Sequence, residues 1–80
     1  MTNNDKYNSA FTENFSVDGA VLADDLEYNS IPEWDSIGHM SLIASIEETF
    51  DITMEIDDIV EFSSYGKGKE IMSKYGVTIQ

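Results

Sequence analysis

Apolar positions recur along this chain at helical spacing. Tyr7, Ala10, Phe11 and Phe15 follow the i, i+3, i+4, i+8 pattern of an amphipathic face and predict a first helix, capped by Asn3, Asn4 or Asp5 and ending near Phe15. A second helix is predicted from Ser36 to Phe50. At about 100° per residue its Leu42, Ile43, Ile46 and Phe50 gather on one arc, the face expected to meet a core. Ile37, Met40 and Ala44 fall on nearly the opposite arc. So small a domain rarely buries both sides of a helix, so this second stripe is expected in solvent beside Ser36, where an apolar patch rimmed by polar groups suggests docking.

Downstream, Ile56 to Phe62 predict a short helix, with Ile56, Ile59, Val60 and Phe62 as its apolar contacts and Asp57 and Asp58 in its first turn. Ser63 or Ser64 caps a last helix reaching about Tyr75 and ended by Gly76. Gly66 and Gly68 each weaken that helix by about 1 kcal/mol relative to Ala, while Lys69 and Lys74 suit its negative end. Between the first two helices, residues 16–34 contain the turn signal Asp18-Gly19 and the breaker Pro32. A loop this long must be functional or tacked down. Val21, Leu22, Leu26, Tyr28 and Ile31 can pin it across the bundle, and Val21 to Leu26 are compatible with a helical turn. The expected fold is all-α, with three main helices, one short helix and a long first loop.

Eighty residues predict one domain, residues 1–80. With no Cys, the chain has neither a disulfide framework nor a thiolate metal site, and thiol chemistry would have to come from a cofactor. The first residues lack a basic region followed by an apolar run, so the cytoplasm is the expected compartment. Sixteen acidic residues face four lysines, for a net charge of −12, and no Lys or Arg lies between Tyr7 and Gly66. That field repels nucleic acid and anionic membrane and attracts basic protein surfaces, although acids also simply keep a small monomer soluble.

The candidate chemistry centres on Trp34-Asp35-Ser36-Ile37-Gly38-His39-Met40. A capping residue followed by a serine places the Ser36 hydroxyl at a helix mouth, where free N–H groups and the macrodipole favour a phosphate. Trp34 either packs over the first turn near His39 as a hydrophobic staple or closes one end of the core.

Asp35-Ser36-Ile37, followed by Met40, Leu42, Ile43, Ile46, Glu47, Glu48 and Phe50, resembles the acyl carrier proteins, whose Asp-Ser-Leu signature opens their second helix. The resemblance spans residues 5 to 76. It implies an acyl-carrier-protein-like four-helix bundle that is not an enzyme. Ser36 would carry 4'-phosphopantetheine, attached from coenzyme A by a phosphopantetheinyl transferase, and the arm would hold an acyl cargo as a thioester. Asp35 would lie near the transferase's metal during loading; its simpler role is the helix cap. Enzymes with basic docking patches would meet Ile37, Met40, Glu47 and Glu48, and secondarily Asp57, Asp58 and Glu61. Ile43, Ile46, Phe50, Ile59 and Val60 form a core that could open to an acyl chain. Departures from the family pattern are Ile37 for Leu, Gly38 for a polar residue, His39 for Thr and Ser41 for the Glu usual in carriers of fatty-acid synthesis. With Trp34 before Asp-Ser, they look more like stand-alone carriers of secondary or polysaccharide pathways.

Three rival functions compete. Ser36 and His39 are three apart, as a nucleophile and base could be, but no orienting group or oxyanion hole accompanies them, and the projection turns His39 toward the core. A calcium loop needs Gly at its sixth position and Glu at its twelfth; from Asp51 these are Ile56 and Phe62, and from Asp18 they are Ala23 and Asn29. An unmodified acidic adaptor that binds a basic protein through the exposed stripe remains as the alternative.

Overall fold

Thr2 begins the first helix, rather than Asn3, Asn4 or Asp5. Its hydroxyl accepts the Asp5 N–H at 3.1 Å, and the Asp5 carboxylate accepts the Thr2 N–H at 3.4 Å. This reciprocal box makes Asp5 its third helical residue instead of its cap. The computed structural model describes residues 2–23 and 25–79, with the side chain of Val21 outside the described set, so the expected anchoring by Val21 lies outside the described residues. Among the described residues the elements are α1 (Asn3–Phe15), a 3₁₀ turn (Gly19–Val21), α2 (Ser36–Phe50), α3 (Ile56–Glu61) and α4 (Tyr65–Lys74), with no strand. The 3₁₀ turn stands earlier than the helical turn expected over Val21 to Leu26, because Asp18 caps it by accepting the Ala20 N–H. The radius of gyration is 11.2 Å, close to the roughly 11.6 Å of a compact chain of this length. The fold is therefore a small all-helical domain with its long loop folded against the helices.

Aromatic residues from three regions build the core. Tyr7, Phe11 and Phe15 of α1 meet Trp34, Phe62 and Tyr65, and all six are buried. Phe11 makes edge contacts with Phe15, Trp34 and Tyr65 at centroid distances of 5.2–5.9 Å. Each such pair adds about 0.5–1.5 kcal/mol beyond area burial. Leu42, Ile43 and Ile46 of α2 are buried as well, whereas Phe50 is only half-buried. The core arc read from the sequence is thus the face that packs.

The long loop is tied down by Leu26, which is buried, and by a backbone bridge to the start of α4. Tyr28 N–H donates to Ser63 O at 2.9 Å, and Tyr65 N–H donates to Leu26 O at 2.8 Å. Leu22 and Ile31 are half-buried, but Tyr28 is exposed and does not serve as a core anchor. Ser64 caps α4 by accepting the Lys67 N–H at 2.9 Å. A Cβ on Gly68 would stand 2.2 Å from the Tyr7 hydroxyl and 2.3 Å from the Phe62 ring. Its helix-weakening cost is therefore tied to a close approach of α4 to the aromatic core.

The sidedness of α3 differs from expectation. Ile56 and Val60 are 77% and 74% exposed, while Phe62 is buried and Ile59 half-buried. A six-residue helix carries both an Ile56/Val60 face and an Asp58/Ile59/Phe62 face, and it can bury one. The second wins because Asp58 is itself buried: Oδ1 accepts from Lys74 Nζ at 2.5 Å, and Oδ2 accepts the Tyr75 hydroxyl. Tyr75 Oη also accepts the Glu55 N–H at 2.9 Å, so the end of α4 holds the start of α3.

Candidate functional site

Asp35 caps α2 in extended backbone conformation, its Oδ1 accepting the Gly38 N–H at 2.8 Å. Ser36 is consequently the first helical residue, and its side chain is exposed. The first N–H groups of a helix have no intrahelical acceptor, which leaves the hydroxyl in a field that favours an anion.

Beside Ser36 runs an apolar groove of about 330 Å³, lined by Tyr28, Ser36, His39, Met40, Ile59, Val60, Phe62 and Ser63. It lies between the start of α2 and the C-terminal end of α3. Ile37, 78% exposed, and Met40, 55% exposed, extend this apolar surface along α2, while Ile56 belongs to the exposed face of α3 that carries Val60. The pattern of α2 anticipated Ile37 and Met40. Tyr28 and Ser63 were not anticipated, since the groove draws them from loops that only the tertiary fold brings together.

The acidic residues divide by what they hold. Glu48, Asp57 and Glu61 are exposed. Glu47 is half-buried, and its Oε2 accepts the Met54 N–H at 2.8 Å, closing the α2–α3 connection. Asp58, expected on the secondary partner surface, is instead an internal link between α3 and α4. Hydrogen bonds from Lys74 and Tyr75 hold its carboxyl below the ordinary value of 3.8, against the opposing effect of burial. The same bonds raise Lys74 and Tyr75 above their ordinary values. Among the described residues no group of three or more metal-ligating side chains converges.

Trp34 is fully buried, and its ring lies nearly parallel to that of His39, with centroids 6.2 Å apart and planes 17° apart. These are the two positions joined by a helix staple. The indole Nε1–H donates to His39 Nδ1 at 3.0 Å, and His39 Nε2 lies 2.8 Å from the Ile59 carbonyl oxygen. Both ring nitrogens are spent on groups other than Ser36, so in this arrangement His39 does not activate the Ser36 hydroxyl as a nucleophile. Chemically, the site is a reachable primary hydroxyl on a rigid helix start, next to an apolar groove and within an acidic surface. No helix among the described residues is long and apolar enough to cross a membrane. No protein-family model, curated protein or solved structure matches the chain.

Proposed function

We propose that this chain is a discrete acyl carrier protein of the cytoplasm, a monomer in an acyl-carrier-protein-like bundle, modified with 4'-phosphopantetheine on Ser36. The observation that carries the reading is the exposed Ser36 hydroxyl at the capped start of α2, opening directly onto the 330 Å³ apolar groove. The surroundings fit such a group: the helix mouth suits a phosphodiester, and the groove walls of Met40, Ile59, Val60 and Phe62 suit an apolar chain. When attached, the group supplies the thiol that this Cys-free chain lacks and holds cargo as a thioester. The chain's own part is to fix the hydroxyl through Asp35 and Trp34 and to offer Ile37, Met40 and Glu48 to a transferase and to acyl-transferring enzymes with basic patches. Asp57 and Glu61 lie on α3 as secondary contacts.

Intact mass, before and after incubation with coenzyme A, magnesium and a broad-specificity phosphopantetheinyl transferase, tests the proposal. The native chain should gain one phosphopantetheine, and folded Ser36→Ala should gain none. No gain in an initially unmodified native sample, with a control carrier loaded alongside, would favour the second reading. That reading is an unmodified acidic adaptor docking a basic protein, and the exposure of Ile37, Met40, Ile56 and Val60 favours it.

A further inference from the structure

His39 is held by two partners that leave it one protonation state. An indole nitrogen can only donate, and a carbonyl oxygen can only accept. With Trp34 Nε1–H on Nδ1 and the Ile59 carbonyl on Nε2, the ring must be neutral, bare at Nδ1 and protonated at Nε2. We infer that His39 is a proton-gated clasp, whose neutral form joins the end of the first loop, the first turn of α2 and α3, and whose protonation releases Trp34 and loosens the segment that delivers Ser36. The inference rests on these two hydrogen bonds and is independent of the carrier reading.

In the gating step a proton from solvent hydronium adds to the Nδ1 lone pair, leaving water. The new Nδ1–H then faces the indole N–H, two donors with no acceptor between them, so the Trp34 bond is lost. Nε2–H keeps the Ile59 carbonyl, and α3 stays attached. Trp34 cannot turn to solvent in place, because it is fully buried against Phe11 and Phe15. Its displacement passes to the 29–34 turn through Asn29 N–H on Trp34 O, at 2.9 Å, and Trp34 N–H on Ile31 O, at 3.1 Å. Asp35 and Ser36 follow directly in the chain.

The groups facing the imidazole are the Tyr28 ring at 5.6 Å and Trp34 from the loop, Phe62 and the Ile59 carbonyl from the α3 side, and Ser36, which lines the same groove, from its own turn. The Asp35 carboxylate is already engaged by the Gly38 N–H. Among these contacts neither a carboxylate nor an ammonium pairs with the ring, whose two nitrogens meet the Trp34 indole and the Ile59 carbonyl.

The chain contains one His and one Trp, so both can be followed without assignment ambiguity. The experiment is an NMR titration of the isolated ¹⁵N-labelled protein from about pH 8 to about pH 5, the span in which histidine changes charge. At the upper end, Nδ1 should resonate as a bare nitrogen and Nε2 as a protonated one. As pH falls, the Trp34 indole proton should lose its hydrogen-bonded shift and exchange faster. The Asn29, Ser36 and Gly38 amides should move with the same midpoint as the ring. In Trp34→Phe, which keeps an aromatic ring without the N–H, His39 should titrate while those amide steps vanish. Should that variant not fold, His39→Gln gives the second test, with flat Asn29, Ser36 and Gly38 amides over the same range. Any of four results overturns the inference: a proton on Nδ1 in the neutral ring, a Trp34 signal that ignores His39 protonation, a ring still neutral at the acid end, or an amide step that persists in folded His39→Gln.

Discussion

Gly38 lies directly beneath the chain that enters α2: a Cβ there would stand 2.1 Å from the Glu33 carbonyl oxygen and 3.3 Å from the Phe15 ring. The obstacle is backbone, so a flexible side chain cannot swing aside to relieve it. Overpacking typically costs about 1–3 kcal/mol, while Ala recovers up to about 1 kcal/mol of helix propensity over Gly. Gly38→Ala should therefore lose a net ~1–2 kcal/mol, read as a lower urea midpoint with an unchanged slope. An unchanged or higher midpoint would show that the Glu33–Asp35 segment yields easily and that Gly38 does not fix the approach to Ser36.

Gly68 offers a second close approach of a different kind, because the atoms in the way are side chains. The Tyr7 hydroxyl is held by its 2.6 Å bond to the Tyr65 carbonyl, and Phe62 is buried in the aromatic cluster. Neither can give without breaking other packing. Gly68→Ala is expected to destabilise by about 1–3 kcal/mol, against the gain that helix propensity alone would bring, and thermal unfolding by circular dichroism decides the sign.

These two glycines mark where the sequence ceased to be legible. The two faces of α2 could be read because fifteen residues give the period enough turns to separate Leu42, Ile43 and Ile46 from Ile37, Met40 and Ala44. The Asp35 cap and the proximity of Trp34 to His39 could be read because both are local along the chain. Gly38 and Gly68 look alike in sequence to any helix-weakening glycine; only the neighbours brought by tertiary folding give them a purpose. In α3 the six-residue length left two apolar pairs, Ile56/Val60 and Ile59/Phe62, with nothing local to choose between them. The choice came from Asp58, and a carboxylate that pairs with Lys74 sixteen positions away is indistinguishable in sequence from a solvated one.

The Asp58 link gives a pH signature with two edges. Its folded carboxyl lies below the ordinary 3.8, so its stabilisation is complete above that value and is lost as pH falls through the folded one. Lys74 and Tyr75 lie above their ordinary 10.5 and 10.0, so their contribution is complete below those values and is lost as pH rises through the folded ones. Asp58→Asn should lower the melting temperature at neutral pH by an amount that stays constant across the neutral range. The gap to the native chain should narrow below pH 3.8 and again at the alkaline end. A gap that persists undiminished in acid would mean that Asp58 acts through packing and not through its charge.

Exposed apolar residues should separate docking from stability. Ile37 and Val60 are more than 70% exposed, and substitutions at such positions usually stay within about 0.5 kcal/mol of neutral. Ile37→Ser and Val60→Ser should therefore leave the urea midpoint nearly unchanged. If these side chains meet the transferase, loading of Ser36 should slow by about tenfold for a residue contributing ~1.4 kcal/mol of docking energy. Equal loading rates in folded variants would remove the apolar surface from the docking face.

Glu47 and Glu48 are adjacent in sequence but answer different questions. Glu48 is exposed, whereas the Glu47 carboxylate also accepts the Met54 N–H and so closes the connection to α3. Reversing Glu47 would mix a docking effect with a folding one. Glu48→Lys isolates the field, and Glu47→Gln keeps an oxygen for Met54 while removing the charge. Both should retain near-native stability and slow loading by a basic transferase. The difference from the native chain should shrink as salt rises, because the Debye length falls from about 10 Å at 0.1 M to about 3 Å at 1 M. A loading defect that survives high salt would point to lost contact geometry, and no defect at low salt would remove these acids from the docking surface and leave their charge to solubility alone.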